Sequence, residues 1–275
     1  MSVYTRAVRN ALRPGKRLKY ALAWSDHKKR PVKENVLVYV HIPKCGGTTL
    51  SEAMRANYNP WRILSSGAGR HRPDGGITNF EEGYSPETEY VKRTLKKMRD
   101  YIECFTGHVP YGVHKHIERE CQYVSFVRDP VKRVWSGYNY DIIFFGGRSK
   151  VLRKYGMDIR KALEDEYFPF CNDQTRMLLG SPDRDLGPDA GERVIEHIEK
   201  NFYFIDVLDR FEQGLHTLIN EFGWKNIEYK DKNVSEYEKV PGEPDEDIVE
   251  LIREKNRHDI KLYEYLLKRE PKINS

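Results

Sequence analysis

Short apolar runs alternate along this chain with longer stretches in which apolar residues recur every three or four positions. Val36–Val40 is uninterruptedly apolar, the form a buried parallel strand takes. Gln122–Val127 and Phe202–Val207 repeat that form, and a further strand is expected near Tyr101–Thr106. Between them lie helical patterns: one beginning near Thr48, one about 87–100, and one opened by Pro130. Others fall near 150–165, 172–180, 189–200 and 209–221. A carboxyl-terminal amphipathic helix is predicted over 246–268, with Ile248, Leu251, Ile252, Ile260, Tyr263 and Leu266 on its apolar stripe. Residues 58–86, rich in Gly, Pro, Ser and Asn, read as a long loop, and 223–245 as a polar one. Strands alternating with helices predict an α/β domain in three layers, a mainly parallel central sheet flanked by helices. No internal boundary is visible, so residues 34–275 are expected to form one domain behind an arm of residues 1–33.

The strongest chemical signal follows the first strand, in VLVYVHIPKCGGTTL (Val36–Leu50). Gly46 and Gly47 allow a tight turn and a close backbone approach to a ligand. Thr48 and Thr49 place hydroxyls beside the free N–H groups of a helix start, which binds phosphate through oriented donors and the macrodipole. Lys44 adds a positive charge for the same anion. This is not a Walker loop, because Lys44 precedes the glycines and no Walker-B aspartate ends a later apolar strand. A P-loop-like fold is expected, without a requirement for magnesium.

Pro43-Lys44-Cys45-Gly46-Gly47-Thr48-Thr49 resembles the 5′-phosphosulfate loop of sulfotransferases that use 3′-phosphoadenosine 5′-phosphosulfate (PAPS), in the carbohydrate branch. Cys45 stands where Thr or Ser is common. VSFVRDPVKRVWSGYNY carries Arg128 at a strand end and Ser136 eight residues later, similar to that family's 3′-phosphate site. An arginine there holds a phosphate with several donors. Asn172-Asp173-Gln174-Thr175-Arg176 and Leu208-Asp209-Arg210-Phe211 resemble further family segments that support the fold more than the chemistry. The resemblance runs from about 36 to 265 and implies PAPS as donor, PAP as product and no metal.

Sulfuryl transfer to an alcohol needs a base, and His41, His71, His108, His114 and His116 are the candidates. His108, in Phe105-Thr106-Gly107-His108, is similar to the Gly-His that follows a strand in uronyl 2-O-sulfotransferases, where that histidine is the base. His114 and His116 are expected to be structural. The resemblance implies a carbohydrate or other hydroxyl acceptor. Trp61, Tyr58 and Tyr84 suit stacking on sugar rings, although such aromatics are more often packing residues, and Arg62, Arg70 and Arg72 suit an acidic glycan or, equally, a solvated surface. The loop Lys230–Ser235 is expected to close over the nucleotide.

Charge alters this picture at one end. Residues 1–33 hold ten Lys or Arg against Asp26, leaving 37 of the 47 basic and 41 of the 42 acidic residues to the remainder. The net charge of +5 therefore belongs to the arm, which suits a weak contact with an anionic surface or a solvated tail. Nucleic-acid binding by the domain loses support. Cys45, Cys104, Cys121 and Cys171 form no Cys-x-x-Cys pair, and no secretory h-region or membrane span is visible, so a cytoplasmic location is expected. A Golgi lumen location is the alternative for a truncated chain. The competing functions are a small-molecule kinase and a non-catalytic PAP- or glycan-binding protein.

Overall fold

The structure, a computed structural model, describes Ser25 and residues 29–66, 89–145, 153–181, 185–225 and 242–274. Its centre is a five-stranded sheet of β1 (Val36–Val40), β2 (Ile63–Ser66), β3 (Cys104–Gly107), β4 (Cys121–Val127) and β5 (Phe202–Val207). The order is β2-β3-β1-β4-β5, every pair parallel, with Val38 opposite Phe105 on one side and Tyr123 on the other. Among the described residues the helices are α1 (Gly47–Asn57), α2 (Glu89–Met98), α3 (Pro130–Phe145), α4 (Ile159–Glu164), α5 (Asp173–Leu179), α6 (Ala190–Asn201), α7 (Phe211–Phe222), α8 (Glu246–Lys255) and α9 (Arg257–Lys268).

Alternation along β1 divides the core into two faces. Leu37 and Tyr39 pack with Leu50 and Met54 of α1 and with Leu215 and Leu218 of α7. Val36, Val38 and Val40 face the other way, onto Leu95 of α2, Ile198 of α6 and Leu262 of α9. The expected three-layer α/β architecture is what the chain adopts. β1 feeds leftward to β2 while β4 feeds rightward to β5, so the chain reverses direction between β1 and β4. Ligands of open α/β sheets bind at such a crevice, outside the strands' carboxyl ends.

Three elements differ from the sequence expectation, and in the first, the helix expected near 150–165, Tyr155–Met157 is a turn and α4 starts only at Ile159. The loop expected over 58–86 contains β2, an edge strand too short, with two serines in four residues, to show an apolar run. The helix expected over 246–268 is two helices, broken at Asn256. Asn256 is fully buried, donating from Nδ2 to the carbonyls of Phe170 (2.8 Å) and Ile252 (2.9 Å) and accepting from Asn172 N (2.8 Å). Asn172 Oδ1 then accepts from His258 N (3.0 Å) and Asp259 N (3.3 Å), capping α9. In return, the Asp259 carboxylate accepts from Gln174 N (3.2 Å) and Thr175 N (2.8 Å), capping α5. Each helix start is capped by the other's residue, a long-range substitute for local N-caps.

The amino-terminal strand edge holds the end of the basic arm. Arg62 is buried, pairs with Glu103 at 2.6 Å, and donates to the carbonyls of Pro31 (2.9 Å) and Arg30 (2.6 Å). Arg119 donates to Lys33 O at 2.7 Å. Arg62 is thus occupied inside the protein rather than offered to an acidic glycan, because its fork finds a carboxylate and two carbonyls there. Tyr58 is likewise core, edge-on to Trp224 with centroids 6.5 Å apart. Trp61 is half-buried. Tyr84, Arg70, Arg72 and His71, the loop Lys230–Ser235 and most of the arm lie outside the described residues.

Candidate functional site

The carboxyl edge of the sheet collects the residues singled out by their chemistry. Lys44, Cys45, Gly46, Gly47, Thr48 and Thr49 follow β1, His108 follows β3, Arg128 follows β4, and Ser136 lies on α3. The loop after β1 turns through left-handed conformations at Lys44 (φ 68°) and Gly46 (φ 71°). A Cβ on Gly46 would lie 2.4 Å from Leu208 Cδ1, so the Leu208–Phe211 segment closes on the loop from behind. A Cβ on Gly47 would lie 1.9 Å from His41 Cδ2. Glycine is needed at both positions, by conformation and packing at the first and by the His41 ring at the second.

α1 begins without a side-chain cap and without an acidic residue in its first turn. The macrodipole at such a start favours an anion. Thr48 is exposed at this start and Thr49 is buried. Cys45 is fully buried, and burial pushes its thiol up to about 12, so it is a hydrogen-bond donor here rather than a nucleophile. The Lys44 side chain runs along α3 past Gly137, and its ammonium rests 4.4 Å from the centre of the Tyr140 ring. Burial pushes the neighbouring Asp141 carboxyl up to about 6, with Lys44 opposing the shift.

Arg128 closes on the same loop. Its Nη1 donates to Lys44 O at 3.2 Å, while Asp129 is otherwise engaged, accepting from Lys132 N (2.8 Å) as the cap of α3. The Arg128 backbone is held by Gln174, whose Oε1 accepts from Arg128 N (2.8 Å) and whose Nε2 donates to Arg128 O (2.9 Å). Gln174 Oε1 also accepts from Cys45 Sγ at 3.4 Å. Sequence reasoning assigned the 172–176 segment to the fold, and a buried amide has no local signature that marks it as a clamp.

His108 stands beside the loop. Its Nδ1 is 2.8 Å from His41 O. A carbonyl only accepts, so Nδ1 carries the proton and Nε2 is the basic nitrogen of the neutral ring. Burial lowers the His108 pKa below the ordinary histidine value, with the bond to His41 opposing. His41 packs over Gly47, its ring 5.3 Å from that of Tyr39 and 4.2 Å from that of His108. Burial and then the charge of His108 hold His41 well below the ordinary value. His114 is engaged elsewhere: its Nδ1 accepts from Tyr123 OH (2.9 Å), which itself accepts from Gly112 N and His114 N. His116 ends the same 3-10 turn, Val113–His116.

This edge therefore offers an uncapped helix start, an arginine fixed against it and a histidine with a defined basic nitrogen. Together these suit a doubly anionic ligand and removal of a proton beside it. No curated protein matches the chain. A solved structure of mouse sulfotransferase SULT7A1 complexed with PAP is similar to it at 11% identity, with 86% of this chain and 70% of that one covered and a TM-score of 0.38. Among the described residues no helix is long and apolar enough to cross a membrane. The family model described as Sulfotransferase family matches residues 32–178, which span the loop after β1, His108, Arg128, Ser136 and Gln174, and the chain belongs to that family.

Proposed function

We propose that the protein transfers a sulfuryl group from PAPS to a hydroxyl of a carbohydrate acceptor. The observation that carries this reading is the closure of Arg128 onto the loop after β1, which brings the two segments we assign to anion binding side by side at the switch point. The leading N–H groups of α1, with Lys44, Cys45, Gly46, Gly47, Thr48 and Thr49, would hold the 5′-phosphosulfate. Arg128 and Ser136 would hold the 3′-phosphate. A helix start with a glycine N-cap and no acidic residue in its first turn fits such a ligand. When bound, PAPS supplies the sulfuryl group and a phosphate leaving group.

The chain's own residues supply the rest. His108 Nε2 takes the proton of the attacking hydroxyl, and the Nδ1 bond to His41 holds the ring in that tautomer. The α1 amino terminus and Lys44 stabilise negative charge growing on the leaving side. Resemblance of Pro43–Thr49 to the carbohydrate branch supports a sugar hydroxyl as acceptor. Residues 34–275 act as the transferase domain behind a basic arm of residues 1–33, a solvated tail in the first reading and a weak contact for anionic surfaces in the second. All four cysteines are free, which supports a reducing, cytoplasmic compartment.

Calorimetric titration with PAP, without added metal, tests the reading. The wild type is expected to bind with about micromolar affinity, and Arg128→Ala to lose at least about 1.4 kcal/mol, a tenfold weakening. Absence of PAP binding, with magnesium-dependent ATP binding in its place, would overturn it in favour of a kinase. PAP binding without turnover of any sugar acceptor would indicate a non-catalytic binding protein.

A further inference from the structure

Gln174 is completely buried, and its amide is committed to the two segments that face each other across the site. It donates to Arg128 O and accepts from Arg128 N, so the residue after β4 is gripped by both backbone groups. The same Oε1 accepts a hydrogen bond from the Cys45 thiol of the loop after β1. Arg128 Nη1 then reaches Lys44 O, the carbonyl preceding Cys45. The circuit Cys45–Gln174–Arg128–Lys44 is closed. It is fixed in turn to the helical layer, because Asp259 holds the Gln174 and Thr175 N–H groups.

We infer that Gln174 is a positioning residue which sets the selectivity of the site for a nucleotide bearing a 3′-phosphate, an inference that rests on the reading proposed above. A guanidinium whose backbone is clamped and whose Nη1 is tied to the loop is aimed at one place. It gives its full charge-assisted contact to an anion at that place and cannot swing to serve the 5′-phosphate of a ligand that lacks the other group. Only an amide performs the clamp, since the position requires one donor and one acceptor. An ionised carboxylate only accepts, and an apolar side chain does neither.

The test is calorimetric titration of PAP and of 5′-AMP, which lacks the 3′-phosphate, into wild type, Gln174→Met and Gln174→Glu at one salt concentration. Methionine conserves volume without the hydrogen bonds, and glutamate keeps the length while losing the donation to Arg128 O. Wild type is expected to prefer PAP by about 100-fold or more, and Gln174→Met to lose at least about tenfold of that preference, with PAP weakened more than 5′-AMP. Gln174→Glu is expected to fall between and provides the measurement should the methionine variant not fold. An unchanged PAP to AMP ratio in a folded variant, or equal weakening of both ligands, overturns the positioning role. A wild type without preference for PAP overturns the parent reading instead, and this inference with it.

Discussion

His108 donates from Nδ1 to the backbone carbonyl of His41, and the two imidazole rings lie with centroids 4.2 Å apart. The bond selects the tautomer, and the crowding selects the charge, since two adjacent, half-buried rings resist joint protonation. Burial keeps both pKa values below the ordinary histidine value of 6.5. A histidine that stays neutral to lower pH remains a base over a wider range.

The acid limb of kcat/KM for sulfuryl transfer is therefore expected to fall below pH 6.5. Rate is lost as pH drops through the lowered pKa, because only the neutral ring accepts a proton. His108→Ala should reduce kcat by about 10²–10⁴ while PAP affinity stays within about threefold. A pH–rate profile that is flat through this region in the wild type, or an alanine variant of full activity, would exclude His108 as the base.

Gly47 is glycine because of a side chain, not because of its dihedral angle. A Cβ there would overlap the His41 ring, which is confined between Tyr39 and His108. Gly47→Ala is expected to destabilise the fold by about 1–3 kcal/mol and to displace His108 with His41. The further substitution His41→Ala removes the clash and should recover part of that loss. Urea melts of both single variants and the double variant measure the coupling. Additive effects would mean that the alanine is accommodated elsewhere.

Arg133 and Asp173 form a buried pair at 3.1 Å between α3 and the start of α5. Burial pushes the Asp173 carboxyl from 3.8 up to about 6, with Arg133 opposing and Asp259 adding to the rise. A carboxyl raised in the folded state adds stability below its unfolded pKa and loses it as pH rises through the folded value. Arg133→Met leaves the carboxylate buried without its cation and is expected to cost about 3–5 kcal/mol at neutral pH. The loss should shrink near pH 5, where Asp173 takes up a proton. Denaturant unfolding at both pH values checks this, and equal losses at the two would refute it.

Much of the fold was legible because it rests on local patterns. β1 and β5 coincide with their apolar runs, and Asp129-Pro130 starts α3 as capping chemistry requires. The glycine pair and Arg128 also announced themselves by residue type after a strand end. Arg62 was misleading because composition in a loop-like stretch does not reveal which side chains the neighbouring layer covers, whereas Tyr58 packs in the core as loop aromatics more often do. Gln174 was visible only as part of a segment. Its role depends on Cys45, 129 positions earlier, and on Arg128, 46 positions earlier.

Sequence alone determined the strand–loop–helix unit at 36–57, the parallel α/β class and the residue types proposed to meet an anion, because apolar period and turn chemistry act over a few residues. Tertiary structure alone decided that the loop after β1 and the residue after β4 share one clamp, and that the carboxyl-terminal helix breaks at Asn256. Those outcomes follow from buried polar groups seeking partners. A buried amide or carboxylate must find its donors and acceptors wherever packing brings them, and the chain between them leaves no local trace of which ones they will be.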